Sequence, residues 1–480
     1  MAIKTATRLF SYRYRYYIGY SIIALLFVSL LLFAGLYVPG GLASTEVNSV
    51  IKSAGVDIHQ PSTLAVTSLP YILSQQLSIE ILGISNFSIK LPSLIFAAIT
   101  SVSAIFLLRR WFSSNIAVLA TMIMITTGQF LFVAQLGASS ITFIMWSVLL
   151  LLSASMITGG SSHKTFWKVV FFVTAGLSLY TPLSLYLLIA IVSAALLHPH
   201  VRYVLKRISL AKLFLFGLVL LAFVAPLAYL IYLDPDLGLL LLGLPSNWPP
   251  DIFANASIIA QQYLAFFEPV GGNLMTPVFG LGSMILILLG AFRLFKTRYT
   301  ARSYTVTAWF VLLIPIVLIN PAYTSITFVP FLLLLASGLE SLLRSWYSLF
   351  PRNPYARVAG LLPLIVLVSG LLISGVDRYV YGYHYDPMTV NNFTRDLTLL
   401  NYQGKPDSYT TLLVDEKEQP FYDAVAKYSD DLAVTTIVPS QGSFTATKAA
   451  HQQVENMVVS RIIVTSHSQN ADRFYIYNNQ

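Results

Sequence analysis

The sequence predicts an all-α polytopic membrane protein of about eleven transmembrane helices, with a small C-terminal α/β domain outside the membrane. Three observations predict it. Over 480 residues the chain is 56% hydrophobic and only 10% charged, with a mean hydropathy of +0.71, too little charge to cover a soluble surface of that size. Its basic residues gather between apolar runs long enough to cross about 30 Å of hydrocarbon. After residue 376 the composition turns soluble, and twelve of the 20 acids lie there.

The bulk composition also excludes several functions. There is no cysteine, so no disulfide framework or thiolate metal site can form. A formal net charge of +9 would point to nucleic acid in a soluble protein. Here the positive charge sits beside apolar runs and sets membrane orientation instead, so no nucleic-acid partner is expected.

The first crossing, near residues 17–38, follows Lys4, Arg8, Arg13 and Arg15. Pro39-Gly40-Gly41-Leu42-Ala43-Ser44-Thr45-Glu46 is a poor cleavage site, so the run reads as a retained signal anchor. Residues 39–90 form an outer loop. Its moderately apolar stretch 63–83 contains Pro70, Gln75 and Gln76 and reads as helices lying on the outer surface. Further crossings fall near 91–108, 114–133, 140–158, 210–232, 274–293, 303–320, 322–342 and 356–375. As a single helix, residues 166–197 would run about 48 Å, too long for one crossing. A hairpin broken at Thr181-Pro182 keeps the basic clusters at both of its ends on one side.

Placing the N-terminus in the cytoplasm puts 19 of the 29 Lys and Arg on inner segments, and leaves only Lys52 and Lys90 on the outer side before residue 376. The eight acids before 376 show the complementary pattern: only Glu340 is near the inner face. The expected organisation is a membrane region over 1–375, with long outer loops at 39–90 and 233–273, and an extracytoplasmic domain over 376–480, most simply in the plasma membrane. In that domain, strands are expected at 409–414, 432–439, 461–467 and 474–479, a helix at Glu418–Ser429, and a polar helix near 445–459.

Motifs in the first 160 residues carry a resemblance. Thr45-Glu46 opens the outer loop and His59-Gln60-Pro61-Ser62 follows. Then come Leu82-Gly83-Ile84-Ser85, Lys90-Leu91-Pro92-Ser93 at the next crossing, and Leu107-Leu108-Arg109-Arg110-Trp111-Phe112 at the inner turn. In order and spacing this is similar to the polyprenyl-phosphate-dependent membrane glycosyltransferases of the GT-C fold. That family (glycosyltransferase family 39-like) includes protein O-mannosyltransferases and the aminoarabinose transferases of lipid A. The resemblance implies a GT-C-like membrane domain and a polyprenyl-phosphate-linked sugar donor. It also implies a protein, lipid or glycan acceptor, and transfer of a hexosyl or mannosyl type at the outer face. Four positions depart from the family pattern. Its first-loop Asp is Thr45, its second outer Asp falls at Gly137, the arginine before Leu-Pro is Lys90, and a lysine before a proline is Thr181.

Such a transfer needs a carboxylate to take the acceptor's proton and positive charge or a metal to stabilise the leaving phosphate. Glu46 is the first candidate base: it leaves a membrane helix at the right depth, and the resemblance implies a functional carboxylate there. It could equally be a first-turn acid of a helix capped by Ser44 or Thr45. Glu268, where the second long loop re-enters the membrane beside Gly271 and Gly272, is the second candidate. Asp57 and His59 could line the acceptor site or be ordinary loop residues. Lys90 and Arg378 could hold phosphate; Lys90 could instead be a snorkelling interfacial lysine. No His, Asp or Glu set has metal spacing. No cofactor is firmly implied, although a divalent cation between outer carboxylates fits the chemistry.

Two alternatives stay open. The missing acids favour a catalytically degenerate relative that binds lipid-linked glycan or scaffolds cell-envelope assembly. An ion-coupled transporter would need ionisable groups at mid-membrane, and the expected crossings hold none there.

Overall fold

A computed structural model describes residues 14–36, 41–159, 163–206, 209–245, 248–266, 277–349, 355, 359, 361–384, 393–403, 410–429, 432–440, 442–454, 456–464 and 473–479. The membrane part is a helical bundle. It begins with α1 (Arg15–Leu36), a two-residue strand β1 (Leu42–Ala43), α2 (Ser44–Gly55) and α3 (Leu69–Leu82). It continues through α4 (Asn86–Trp111), α5 (Ser114–Thr126), α6 (Gly128–Gln135), α7 (Ser140–Thr158), α8 (Lys164–Ser178) and α9 (Ser184–Leu197). Then follow α10 (Pro199–Lys206), α11 (Leu210–Leu233), α12 (Pro235–Leu241), α13 (Ile252–Leu264), α14 (Leu281–Lys296), α15 (Ala301–Ile319), α16 (Phe328–Leu349) and α17 (Leu361–His384).

Helices stand at each place where the sequence predicts a crossing, but they differ in length. Among the described residues six are long and apolar enough to span a membrane, or seven with α5 and α6 taken as one bent span. That pair bends by 61°, where one straight run over 114–133 was expected. At the bend Thr127 leaves helical geometry (φ −62°, ψ 128°), and the hydroxyls of Thr126 and Thr127 bond back to the carbonyls of Met122 and Ile123. Such back-bonding competes with the helical ladder and favours a break. The expected hairpin within 166–197 is present as α8 and α9, with Leu183 at φ 63° in the turn between them. The last helix continues past residue 376 to His384.

The main core is formed by apolar side chains of α4 to α7 and α14 to α16, including Phe130, Trp309 and Phe328, all fully buried. α14 and α16 cross backbone to backbone. A Cβ on Gly290 would lie 1.8 Å from the Leu334 carbonyl oxygen, and one on Gly338 would lie 2.0 Å from that of Leu286. Small residues at such a crossing are what allow helices to approach this closely in a membrane.

The C-terminal part holds β2 (Phe393–Thr394), α18 (Asp396–Gln403), β3 (Thr410–Leu413), α19 (Gln419–Lys427), β4 (Leu432–Thr435), β5 (Gly442–Thr447), β6 (Val459–Val464) and β7 (Arg473–Asn479). β3 to β7 form one five-stranded sheet in the order β4-β3-β5-β7-β6, parallel around β3 and antiparallel around β7. The α/β reading holds, with one correction. The polar helix expected near 445–459 is instead the end of strand β5, followed by a short 3₁₀ turn at Ala450–Val454. Polar composition hid this strand. It lies between β3 and β7, so Phe444, Thr445, Ala446 and Thr447 are all buried, and the strand shows no polar face.

This part is anchored to the segment between α1 and α4. β1 pairs antiparallel with β2, and Lys427 Nζ donates to the Ala54 carbonyl at the end of α2 at 2.6 Å. Leu42, Val50, Ile79 and Ile89 share one apolar cluster with Leu397, Leu412, Phe421 and Phe474. The segment between α1 and α4 is therefore roofed by the C-terminal sheet and its helix.

Candidate active site

α2, α3, the start of α4 and the turn between α6 and α7 meet beneath that roof, and a buried polar cluster lies where they meet. Glu46 is its centre. It is the third residue of α2, whose N-cap is the extended Ala43, rather than Ser44 or Thr45 as the sequence suggested. Glu46 Oε2 accepts the Ala43 N–H at 2.7 Å, which satisfies one of the donors left open at a helix start. Its other oxygen, Oε1, accepts the N–H of Gly137 from the α6–α7 turn.

Lys90 completes the pair from α4. Its Nζ lies 3.2 Å from Glu46 Oε1 and 3.5 Å from Oε2, and donates to Gln135 Oε1 at 2.8 Å. Glu46 is 0% and Lys90 1% exposed. The ammonium thus has two hydrogen bonds, one to Glu46 and one to Gln135, within an ion pair to the carboxylate. The ring of Phe393 on β2 covers the ammonium at 6.0 Å.

The turn that receives Glu46 is strapped on its carbonyl side as well. Gln75 Nε2, from α3, donates to the carbonyls of Gly137 (2.8 Å) and Ile89 (3.1 Å), while Ser49 Oγ from α2 donates to Gln75 Oε1 at 2.7 Å. Ser93 Oγ donates to the Leu136 carbonyl at 2.5 Å and bonds the Tyr71 hydroxyl at 2.8 Å. Burial pushes the Tyr71 phenol above its ordinary range. The result is a buried, cross-linked junction of four segments, in which Gln135 Nε2 and Thr45 Oγ1 are left without a partner among the described residues.

The two positions where the resemblance calls for aspartate are instructive. Thr45 lies beside Glu46, its Oγ1 buried and without a hydrogen-bond partner among the described residues. Gly137 leaves no room for a side chain. A Cβ there would lie 2.8 Å from Ile89 Cγ2 and 3.0 Å from Glu46 Oε1. The carboxylate of Glu46 thus fills the space an acid at 137 would need. Thr181, standing where the family has a lysine, is buried and accepts the indole N–H of Trp146 at 3.1 Å.

The other candidates lie apart from this cluster. Asp57 organises a turn of its own: Oδ1 accepts the His59 N–H at 2.9 Å, and its N–H donates to Thr63 Oγ1 at 2.9 Å. His59 is exposed. Arg378 is half-buried on α17, next to the fully buried Tyr379, and among the described residues no contact joins it to Glu46 or Lys90. Glu268 lies outside the described residues. Among the described residues no three His, Asp or Glu side chains come together as metal ligands.

Gln75, Gln135, Ser93 and Tyr71 are the members of the cluster that sequence reasoning did not single out. Their only signal is polarity inside apolar runs, where buried amides and hydroxyls need partners. Gln75 and Ser93 donate to backbone carbonyls and Tyr71 bonds Ser93, whereas Gln135 accepts from Lys90 through Oε1 and its Nε2 has no partner among the described residues.

Comparison with known proteins matches residues 69–229 to the dolichyl-phosphate-mannose-protein mannosyltransferase family. That segment contains Lys90, Gly137 and Thr181 but begins after Glu46. No curated protein matches the chain by sequence. Among solved structures, the chain resembles ArnT from Cupriavidus metallidurans bound to undecaprenyl phosphate, with a TM-score of 0.53 and 12% identity over 94% of this chain and 97% of that one. It also resembles the Archaeoglobus fulgidus oligosaccharyltransferase tethered with an acceptor peptide containing the NVT sequon. There the TM-score is 0.50 and the identity 13%, over 87% of this chain and 64% of that one. The chain has the GT-C fold of polytopic membrane glycosyltransferases.

Proposed function

We propose that this chain is a membrane glycosyltransferase of the GT-C type that moves a sugar from a polyprenyl-phosphate donor to an acceptor hydroxyl at the outer face. The N-terminus is then cytoplasmic and the C-terminal sheet extracytoplasmic, as the distribution of basic residues favours. The undecaprenyl phosphate bound to ArnT and the acceptor peptide tethered to the oligosaccharyltransferase support these substrate classes by analogy of fold. The observation that carries the reading is the junction of Glu46, Lys90 and Gly137. It is built from the segments that hold the family-like motifs, at the outer ends of their helices.

In the reaction the acceptor oxygen attacks the anomeric carbon, the bond from that carbon to the phosphate oxygen breaks, and the prenyl phosphate leaves with the electron pair. A base takes the acceptor's proton. The geometry argues that Glu46 serves as a positioning residue. Its two oxygens are taken up by Lys90 and by the backbone N–H groups of Ala43 and Gly137, and the side chain is fully buried, so an acceptor hydroxyl does not reach it. Its role is to fix the α6–α7 turn and Lys90. Because Lys90 is buried against Glu46 and Gln135, the leaving phosphate is assigned to Arg378. The proton is assigned to Glu268, with Asp57 and His59 on the acceptor side. No cofactor is required by this scheme; a divalent ion beside the donor phosphate would supply the same positive charge as Arg378.

One observation favours a second reading, a non-catalytic relative that binds lipid-linked glycan. Of the two aspartates the resemblance calls for, one is Thr45, and the other falls at Gly137, where no side chain fits. Reconstituting the full chain in vesicles with polyprenyl-phosphate-linked sugar and an acceptor peptide separates the two. The transferase reading predicts turnover in the wild type, and a loss of about 10²–10⁴-fold in Glu268→Gln, the usual range for removing a catalytic acid or base. Donor binding with no turnover under any acceptor selects the second reading, and absence of donor binding contradicts both.

A further inference from the structure

α13 (Ile252–Leu264) is a helix that no expected crossing accounts for; it stands where the sequence predicts a long loop. Asp251 caps its start, accepting the Ala254 N–H at 3.0 Å. None of its 13 residues is charged and none is buried. Two side chains fix its position. Asn255 Nδ2 donates to the carbonyls of Leu318 and Ile319, at 3.0 and 2.9 Å, where α15 ends. The Tyr263 hydroxyl bonds that of Thr327, and its ring lies 5.4 Å from that of Phe331, where α16 begins. A single 3₁₀ turn, Pro321–Thr327, joins those two helices, so both anchors stand at one end of the bundle. It is the end that holds Glu46. Arg302, at the start of α15, donates to the carbonyl of Trp111, the last residue of α4, while Lys90 meets Glu46 near the first. The anchors are eight residues apart, about 12 Å along the helix. α13 therefore lies across the ends of α15 and α16 instead of entering the bundle.

The side of α13 turned away from its anchors is open and apolar. Phe253, Ala260 and Leu264 share one stripe at helical spacing, with Phe253 91% and Leu264 60% exposed. Trp248, just before the helix, is exposed as well. The surface of α15 leads up to this helix. Val311 and Ile314 are exposed on a helix long and apolar enough to span a membrane, and Leu318 continues their stripe at i+7 and i+4. α13 is docked on the carbonyl of that same Leu318.

We infer that α13 is a membrane-binding surface, seated in the lipid interface at the Glu46 end of the bundle with Phe253 and Leu264 among the acyl chains. Continuity argues for lipid as the partner: the exposed apolar stripe of a spanning helix ends where α13 docks, and the apolar stripe of α13 carries it on. Composition argues the same way. An uncharged helix with one apolar stripe lies in the plane of the interface, and a Trp at its start suits that depth. Ser257 and Gln261, both exposed, border the stripe on the headgroup side. The sugar-transfer reading plays no part in this inference, which holds for a catalytic and a non-catalytic chain alike.

The chain has no cysteine, so single spin labels can be placed without background. The test uses the full chain in phosphatidylcholine vesicles, labelled in turn at Phe253→Cys, Leu264→Cys and Val458→Cys. Val458 is exposed, and its neighbours Met457 and Val459 pack in the apolar cluster of the sheet that includes no residue of the bundle. Power saturation compares access of oxygen, which concentrates in lipid, with access of a water-soluble nickel chelate. The ratio of oxygen to chelate access is expected to be several-fold higher at 253 and 264 than at 458. Chelate access exceeding oxygen access at 253 and 264 puts the stripe in water and overturns the inference. Low access of both reagents at the two positions also overturns it, because the stripe is then covered by protein, a second copy or another part of this chain. Equal ratios at all three positions overturn it too. Should Phe253→Cys fail to fold, Leu264→Cys decides by the same criteria.

Discussion

Glu46 with Lys90 and Glu340 with Arg293 are the same chemistry at opposite faces of the bundle, under opposite conditions. The outer pair joins α2 to α4 with side chains 0% and 2% exposed. The inner pair joins α16 to α14 at 2.8 Å, with side chains 18% and 11% exposed, and Arg344 adds a second contact from a side chain that is 75% exposed. Arg344 gives the Glu340 carboxylate a second cation if Arg293 is lost, although Glu340 Oε2 is itself shielded from solvent. Among the described residues Glu46 has Lys90 alone as a cation, with the backbone N–H groups of Ala43 and Gly137 beside it. A buried pair of this kind adds little net stability compared with an apolar packing, but is costly to break from one side. What it does provide is a fixed geometry for four chain segments, which suits a site that must hold its shape beneath the C-terminal sheet.

The largest effect is expected from breaking the outer pair alone. Lys90→Met strands the Glu46 carboxylate and should lower the unfolding free energy in detergent by about 3–5 kcal/mol. A cost as small as that of an exposed pair would erase the contrast between the two faces. Next comes Gly137→Asp, the residue the family resemblance calls for. Its side chain meets Ile89 and the Glu46 carboxylate, so overpacking should cost about 1–3 kcal/mol before any charge repulsion, read as a lower thermal midpoint. If Gly137→Asp were neutral or stabilising, the space would have to be free and Glu46 mobile. The smallest effect is expected from Glu340→Gln, within about 1 kcal/mol, because Arg344 is exposed and Arg293 also donates to the Ser337 carbonyl.

The same comparison shows what could be read from the sequence. The apolar helices were legible because run length is a local property, while the orientation rests on where Lys and Arg stand in the sequence. The strands of the C-terminal sheet were legible where apolar residues marked them and not at β5, whose Ser and Thr residues are buried only because β3 and β7 flank it. Glu46 and Lys90 were each singled out, one for proton transfer and one for phosphate. Their pairing was not legible, since the two lie 44 residues apart and no local pattern links them. Gly137 was noted as a missing acid, whereas the structure makes it the place where a glutamate from another segment arrives. Gln75 and Ser93 stood as minor polar positions in apolar runs, because their carbonyl partners lie on the turn at 136–138, far along the chain.

The central claim is that Glu46 and Lys90 act as one buried unit. A double-mutant cycle of Glu46→Gln, Lys90→Met and the double variant, followed by thermal or denaturant unfolding of the purified full chain, tests it most directly. The account predicts that each single variant is strongly destabilised and that the double variant recovers much of the loss, with a coupling energy of about 1–3 kcal/mol. Additive losses, with no recovery in the double variant, would show that the two side chains do not depend on each other and would contradict it.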